Sequence, residues 1–237
     1  DDLAMKSLAN WTPRLPMEAT SLMGNYVRIE PLVIERDVPL LWEALGGTSD
    51  AINERLYWFG GSRLEDEQDL AETLREIEKP VGCCVNVLRL QSTGQVSGMA
   101  SYIATVPEQG STEIGYVAHG LSMARTPAAT EAHYLLAKHA LVTMGYRRYE
   151  WKCDSNNEPS QRAALRLGFQ YEGCFRQHRV TARKTNRDTK WFSMLDSEWE
   201  QREQEFQIWL DPSNFDDNGQ QKMTLQAIRN RGWLSHS

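Results

Sequence analysis

The chain has no basic excess: 26 lysines and arginines stand against 32 aspartates and glutamates, giving a formal net charge of −6 over 237 residues. Nucleic-acid binders usually carry a basic face or stripe, so no nucleic-acid partner is expected. Long hydrophobic runs are missing as well. Every apolar stretch is broken by charge well short of the roughly 20 residues that cross a bilayer. No signal-peptide pattern opens the sequence. The expectation is a soluble protein of the cytoplasm with no membrane partner. Cysteine is scarce: Cys83 and Cys84 are adjacent, Cys153 and Cys174 stand alone, and none has metal-ligand spacing. They read as reduced, mostly buried thiols, and no metal is expected.

What is present is enough for one domain. At 41% hydrophobic residues the chain can bury a sizeable core. Residues 1–23 lack a clear period and read as an arm that packs on the surface. "GNYVRIEPL" alternates like a strand and closes on Pro31. Two helices follow. One carries Val38, Leu41, Trp42 and Leu45 at helical spacing before a glycine pair, the other Leu70, Leu74 and Ile77 before Pro80. "GCCVNVLRL", "QVSGMASYIA" and "TEIGYVAHG" are three strands in a row, the first two joined by hairpin turn chemistry. A helix from Pro127 to about Met144 then shows a face of Ala132, Leu135, Leu136, His139, Ala140 and Thr143. "RRYEWKCDS" reads as a core strand. After it comes a helix with Asn157 to cap it, Pro159 in its first turn and Gly168 to end it. Strands at 169–180 and 190–195 flank a charged loop, "TARKTNRD". A polar helix over about 197–210 precedes "DPSNFDDNGQQ", whose composition is that of a linker or disordered loop. The order predicts a mixed α/β (α+β) sheet with helices returning across its faces. The expected division is an arm at 1–23, a domain at 24–210 and an extension at 211–237. That extension is free to cover a pocket, to pair with a second copy as a homodimer, or to do neither.

Two segments carry chemistry. In "STEIGYVAHGLSMARTPAATEA" a strand runs through a short loop into a helix whose first turn holds only small residues. A helix start presents unpaired N–H groups and the positive end of a dipole, which makes it an anion site wherever backbone can approach a ligand. Thr126, Ala128, Ala129 and Thr130 permit that approach, and Arg125 adds a cation. An ordinary connection with small residues for packing explains the same segment equally well. In "NNEPSQRAALRLGF", Asn157 and Ser160 lie three residues apart at a helix start, which capping alone also explains.

Taken together, in this order, "EIGYVAHGLSMARTPAATEA" and "WKCDSNNEPSQRAALRLGFQYEGCFRQHRV" resemble the GNAT superfamily of acetyl-CoA-dependent N-acetyltransferases. Within it, they look like the branch of ribosomal-protein N-terminal acetyltransferases of the RimJ/RimL type. The resemblance spans about 25–197. It implies a mostly antiparallel sheet of about seven strands flanked by helices, with a splayed strand at the acetyl-CoA site. The family loop is Gln/Arg-x-x-Gly-x-Gly/Ala, and this chain has no glycine there. The resemblance then implies that the pyrophosphate is held through Arg125, Thr126, Ala128, Ala129 and Thr130. It places the pantetheine arm on the backbone of Tyr116, Val117 and Ala118, with Asn157 and Ser160 facing the arm and the thiol. Many members carry a tyrosine acid four residues before the glycine of "LGF"; here that position is Ala164.

Amide formation needs a neutral amine and an acid for the leaving thiolate. Glu113 is the candidate base and Ser160 the candidate acid or thiolate donor. Glu113 as a solvated strand carboxylate is the competing reading. His119 is a further candidate base, whereas His133 and His139 read as packing residues. Tyr57, Trp58 and Phe59 are either a wall of the acceptor pocket or core. No cysteine has a companion histidine at a readable spacing, which favours direct transfer in a ternary complex over a covalent acyl-enzyme. The acceptor is a small-molecule primary amine or a protein N-terminus, and the acidic balance favours the small amine. A non-catalytic acyl-CoA-binding module is the competing class.

Overall fold

The computed structural model describes residues 8–231. Its centre is an eight-stranded sheet in the order β1-β2-β3-β4-β5-β6-β8-β7. The strands are β1 (Leu22–Met23), β2 (Val27–Pro31), β3 (Cys84–Leu90), β4 (Val96–Val106), β5 (Ser111–His119), β6 (Arg148–Asp154), β7 (Gln170–Val180) and β8 (Asn186–Leu195). All neighbours are antiparallel except β5 and β6. That parallel pair requires a crossover, which α4 (Pro127–Lys138) supplies. The strand beyond the expected seven is β1, two residues of the arm paired with β2.

Helices cover both faces. α1 (Ile34–Leu45) and α3 (Glu67–Glu78) bury Leu41, Leu45, Leu70 and Leu74 against Val85, Val87, Met99 and Ala118. On the other face α4, α5 (Glu158–Leu167), α6 (Asp196–Leu210) and α7 (Leu225–Asn230) pack over Leu88, Ala100, Tyr102, Ile114, Tyr149 and Trp151. Strand β3 is thus buried on both sides, which is why five of its seven residues are apolar, Asn86 and Arg89 excepted.

The structure differs from the sequence reading where packing decides. A third helix, α2 (Ser49–Arg55), lies between α1 and α3; only Ile52 of its seven residues is buried, too little for a period to show. The helix after Pro127 passes into a π turn at His139–Thr143. The wider turn rotates the register, so that Leu141 is buried and Thr143 is exposed. Strand β8 begins at Asn186, inside the segment expected as a loop, because it pairs with Val180. The expected linker is ordered: Asn214 is buried and holds the carbonyls of Trp209 and Met223, and Leu225 and Ile228 of α7 join the core. Its polar composition conceals this because one asparagine and two apolar residues do the anchoring. In the arm, Met17 is buried, Trp11 donates to the Glu108 carbonyl and Arg14 to that of Gly145. Residues 1–7 of that arm lie outside the described residues.

Candidate active site

The site begins where two strands part. β5 and β6 pair only at Ser111↔Arg148, Thr112↔Tyr149 and Glu113↔Glu150. β5 then continues to His119 with its β6-facing edge unpaired, while β6 stays bound to β8. On its other side β5 is bulged, with Tyr116 and Val117 together opposite Ala100 and Tyr116 at φ 47°. A left-handed tyrosine in a strand is strained, and bulges of this kind re-aim backbone beside functional sites. Phe59 packs edge-on against the Tyr116 ring at 5.1 Å, so the Tyr57–Phe59 3₁₀ turn borders the slot. Of the expected pantetheine contacts, Tyr116 and Val117 are half-buried and Ala118 turns into the α1–α3 core.

The loop beyond β5 is tied down tightly. Gly120 donates to the Ser97 carbonyl, and a Cβ there would lie 2.4 Å from the Ala44 carbonyl oxygen. Met123 is buried beneath the loop, and Arg125 takes the left-handed conformation at φ 64°. The Arg125 side chain is exposed and has no hydrogen-bond or ion-pair partner among the described residues. Thr126 is the N-cap of α4, yet its hydroxyl donates back to the Met123 carbonyl at 2.7 Å and caps nothing. The first-turn N–H groups are therefore left without a side-chain acceptor. A groove of about 410 Å³ lies against this turn, walled by Asn25, Tyr26, Gln91, Ser122, Thr126 and Pro127. Ala129 is half-exposed. Ala128 is buried against the core and also lines this groove. Thr130 is buried and accepts from Arg166 of α5 at 3.1 Å. Residues Asn25 and Tyr26 had no sequence signal: they reach the groove because Glu131 accepts the N–H groups of Asn25, Tyr26 and Val27.

Alternation along β6 sorts the remaining chemistry onto two faces. Tyr149, Trp151 and Cys153 point into the core under α4 and α5. On that side the Trp151 indole donates to the Ser160 hydroxyl at 2.9 Å, and the Cys153 sulfur lies within hydrogen-bond reach of the same hydroxyl. Asn157 caps α5, its Oδ1 accepting from the Ser160 N–H at 3.2 Å. His119 and His133 meet edge to face at 5.5 Å, with His133 5.4 Å from Trp151. Burial pushes the His119 imidazole down to about 4, and burial also holds His133 well below its ordinary value, so both are neutral near pH 7. His139 is buried too. Ala164, at the position of the family tyrosine, is fully buried in the core.

The opposite face is charged, so "RRYEWKCD" is a core strand on one side only. Lys152 bridges Glu113 at 2.8 Å and Glu150 at 2.7 Å, and its ammonium sits 4.0 Å from the centre of the Trp191 ring. Glu113 is buried, not solvated. Burial pushes its carboxyl above the ordinary value, and the Lys152 ammonium pulls it partly back. Cys84 and Cys153 are buried thiols, the first pushed up to about 12 by desolvation. Among the described residues no group of acidic, histidine or cysteine side chains is arranged to hold a metal, and no helix is long and apolar enough to cross a membrane.

Residues 27–170 match the acetyltransferase (GNAT) domain family. Among solved structures, a GCN5-related N-acetyltransferase from Brucella melitensis is 40% identical, covering 94% of this chain and 100% of its own, with a TM-score of 0.87. A GNAT-family protein from Chromobacterium violaceum is 34% identical over 83% of this chain and 96% of its own, with a TM-score of 0.75. An acetyltransferase from Salmonella typhimurium, which modifies the N-terminal serine of the 50S ribosomal subunit protein L7/L12, shares the fold at 16% identity; the match covers 73% of this chain and 96% of that one at a TM-score of 0.61. No curated protein sequence matches the chain. With the parted strands, the bare helix start and these likenesses in agreement, the chain belongs to the GNAT family of acetyltransferases and is an acyltransferase enzyme.

Proposed function

We propose that this protein moves an acetyl group from acetyl-CoA to a primary amine by direct attack within a ternary complex. The observation that carries the reading is the slot between β5 and β6, with Glu113 and Lys152 on one face of the sheet and Ser160 with its Trp151 donor on the other. When bound, acetyl-CoA supplies an activated thioester. The bare first turn of α4, Arg125 and the adjoining groove suit its phosphates, and the open edge of β5 near Tyr116–Ala118 suits its amide-bearing arm. Asn157, capping α5 through Oδ1, has its amide nitrogen left for the same arm.

The chain's own residues then divide the proton work. Glu113 takes a proton from the incoming ammonium, directly or through water; its raised proton affinity brings it closer to the working pH. Lys152 holds that carboxylate in place and keeps it from becoming fully neutral. Ser160, its lone pair engaged by the indole, donates toward the departing sulfur from the other side. Holding amine and thioester in line across the slot contributes on the order of 7–11 kcal/mol in well-oriented cases. The buried, protonated state of Cys84 and Cys153 supports direct transfer over a cysteine acyl-enzyme.

Glu113→Gln tests the assignment. Turnover in a thiol-release assay with a panel of amines falls by roughly 10²–10⁴ and loses its rise with pH, since the rate follows the deprotonated carboxylate. Acetyl-CoA affinity by calorimetry stays the same. An unchanged pH–rate profile removes Glu113 from the mechanism, and acetyl-CoA binding without turnover on any amine removes the transfer reading.

A further inference from the structure

Strand β8 sorts its side chains onto two faces, as β6 does. Lys190 turns toward α5 and donates to Gln161, whereas Arg187, Thr189 and Trp191 alternate onto the face that holds Glu113 and Lys152. The Trp191 ring there lies 4.0 Å from the Lys152 ammonium, 4.7 Å from the Phe175 ring and 5.9 Å from that of His178. Arg187 donates to the Thr189 hydroxyl at 3.1 Å and stands directly opposite Arg179 of β7.

Like charges directly opposite on neighbouring strands oppose their pairing. Arg148, on the same sheet, is held by Glu150 and Glu172. Arg179 and Arg187 have no carboxylate partner among the described residues, and the Arg179 side chain makes no hydrogen bond to them. Beside them the Trp191 indole N–H and the His178 Nδ1 are shielded from solvent, again with no hydrogen-bond partner among the described residues. Guanidinium and indole groups only donate, so what this cluster lacks is an acceptor. Both arginine charges bear on His178, and that of Arg179 bears on the Glu113 carboxyl, which puts the cluster beside the candidate base.

The tip of the same hairpin fences this face. The Ala182 N–H donates to the Gly60 carbonyl at 3.0 Å, and Arg183 donates to the Tyr57 carbonyl at 2.9 Å while lying 3.9 Å over its ring. Because Phe59 of that turn packs on Tyr116, the hairpin and the turn together bound the slot on the Glu113 side.

We infer that the acetyl acceptor is a small primary amine carrying a carboxylate or another compact oxyanion, which Arg179 and Arg187 bind while the amine meets Glu113. Planar guanidinium forks pair with such anions through two parallel hydrogen bonds, and an anion between them offsets the repulsion across the hairpin. This rests on the acetyl-transfer reading above and names the substrate class within it. A polyamine or an aminosugar, with only positive charge to offer, would be repelled at the same place.

The test pairs ω-amino acids of increasing chain length with their primary amides, and with aminoalkylphosphonates as a second form of the anion. Acetylation is read by thiol release, and binding by the shift in melting temperature with coenzyme A present. At the best length the acid or the phosphonate should exceed the amide in kcat/KM by about tenfold or more at low salt, mostly through KM, and the margin should shrink as ionic strength rises. The same anionic amine should raise the melting temperature of the parent. Arg179→Gln with Arg187→Gln should bring the acid-to-amide ratio to about one and abolish that shift. The ligand-free variant should melt at or above the parent, because the like-charge pair is gone. Arg179→Lys with Arg187→Lys should keep the preference in weakened form. Equal kcat/KM for acid, phosphonate and amide at every length overturns the inference and leaves acetyl transfer intact. So does a preference that survives the double glutamine variant, or a neutral peptide N-terminus preferred over every anionic amine. Anionic amines that bind through the two arginines, with no amine turned over, support the anion site and overturn the transfer reading instead.

Discussion

The two helix starts at the site, those of α4 and α5, are built from similar parts and finished differently. Each follows a strand of the same parallel pair, and each has a proline in its first turn. At α5 the residue before the helix turns its side chain inward, and Asn157 Oδ1 satisfies the Ser160 N–H. At α4 the corresponding Thr126 turns its hydroxyl back to Met123, leaving the first turn without a cap beside an unpaired Arg125. A cap and an anion compete for the same N–H groups. One start is closed by the chain's own cap, and the other has no side-chain cap, as the proposed phosphate site requires. The structure thus resolves a choice that capping rules alone leave undecided.

Closing the open start is the sharpest way to break this contrast. Thr126→Asp supplies a carboxylate cap, so thermal stability should hold or rise by about 2 °C. The same carboxylate repels an anionic ligand, and acetyl-CoA affinity by calorimetry should fall roughly 10- to 100-fold. Intact affinity would mean that the α4 start holds no phosphate.

The buried histidine at the end of β5, packed on His133 of α4, gives the next effect. His119 is held near 4 in the fold against about 6.5 in the unfolded chain, so between those values the unfolded chain binds more protons. The stabilisation from its neutral form is complete above about pH 6.5 and is lost as pH falls toward about 4. His119→Gln should flatten the decline of melting temperature with acid relative to the parent, and parallel curves would show that the histidine does not titrate on unfolding.

Opening the closed start is worth less. Asn157→Ala should cost about 1 kcal/mol in denaturant unfolding and lower turnover, because both the cap and the free amide are lost. Smallest of all is Thr126→Ala. Its hydroxyl caps nothing, so its stability cost should be below that of Asn157→Ala, and acetyl-CoA affinity should change by less than about threefold. A larger loss would show that the hydroxyl serves the ligand directly.

Much of this site was legible because it is local. The strand into Arg125, the helix opening on Pro127, the Asn157 cap and the Gly168 stop follow from rules that act over a few residues. The same rules missed α2 and the π turn, where one buried residue or one extra residue per turn decides the outcome. They also misjudged the segment after Asp211, whose order depends on Asn214, Leu225 and Ile228 meeting distant parts of the chain.

By itself, then, the sequence determined the order of the main strands and helices, the two helix starts and the family, since these are written in neighbouring residues and their spacing. Tertiary structure alone decided where β5 leaves β6, that Lys152 would bridge Glu113 and Glu150, and that Ala128 would be buried against the core. Those outcomes depend on strand register, on which face a residue takes and on contacts across tens of residues. Short-range spacing carries no direct record of them.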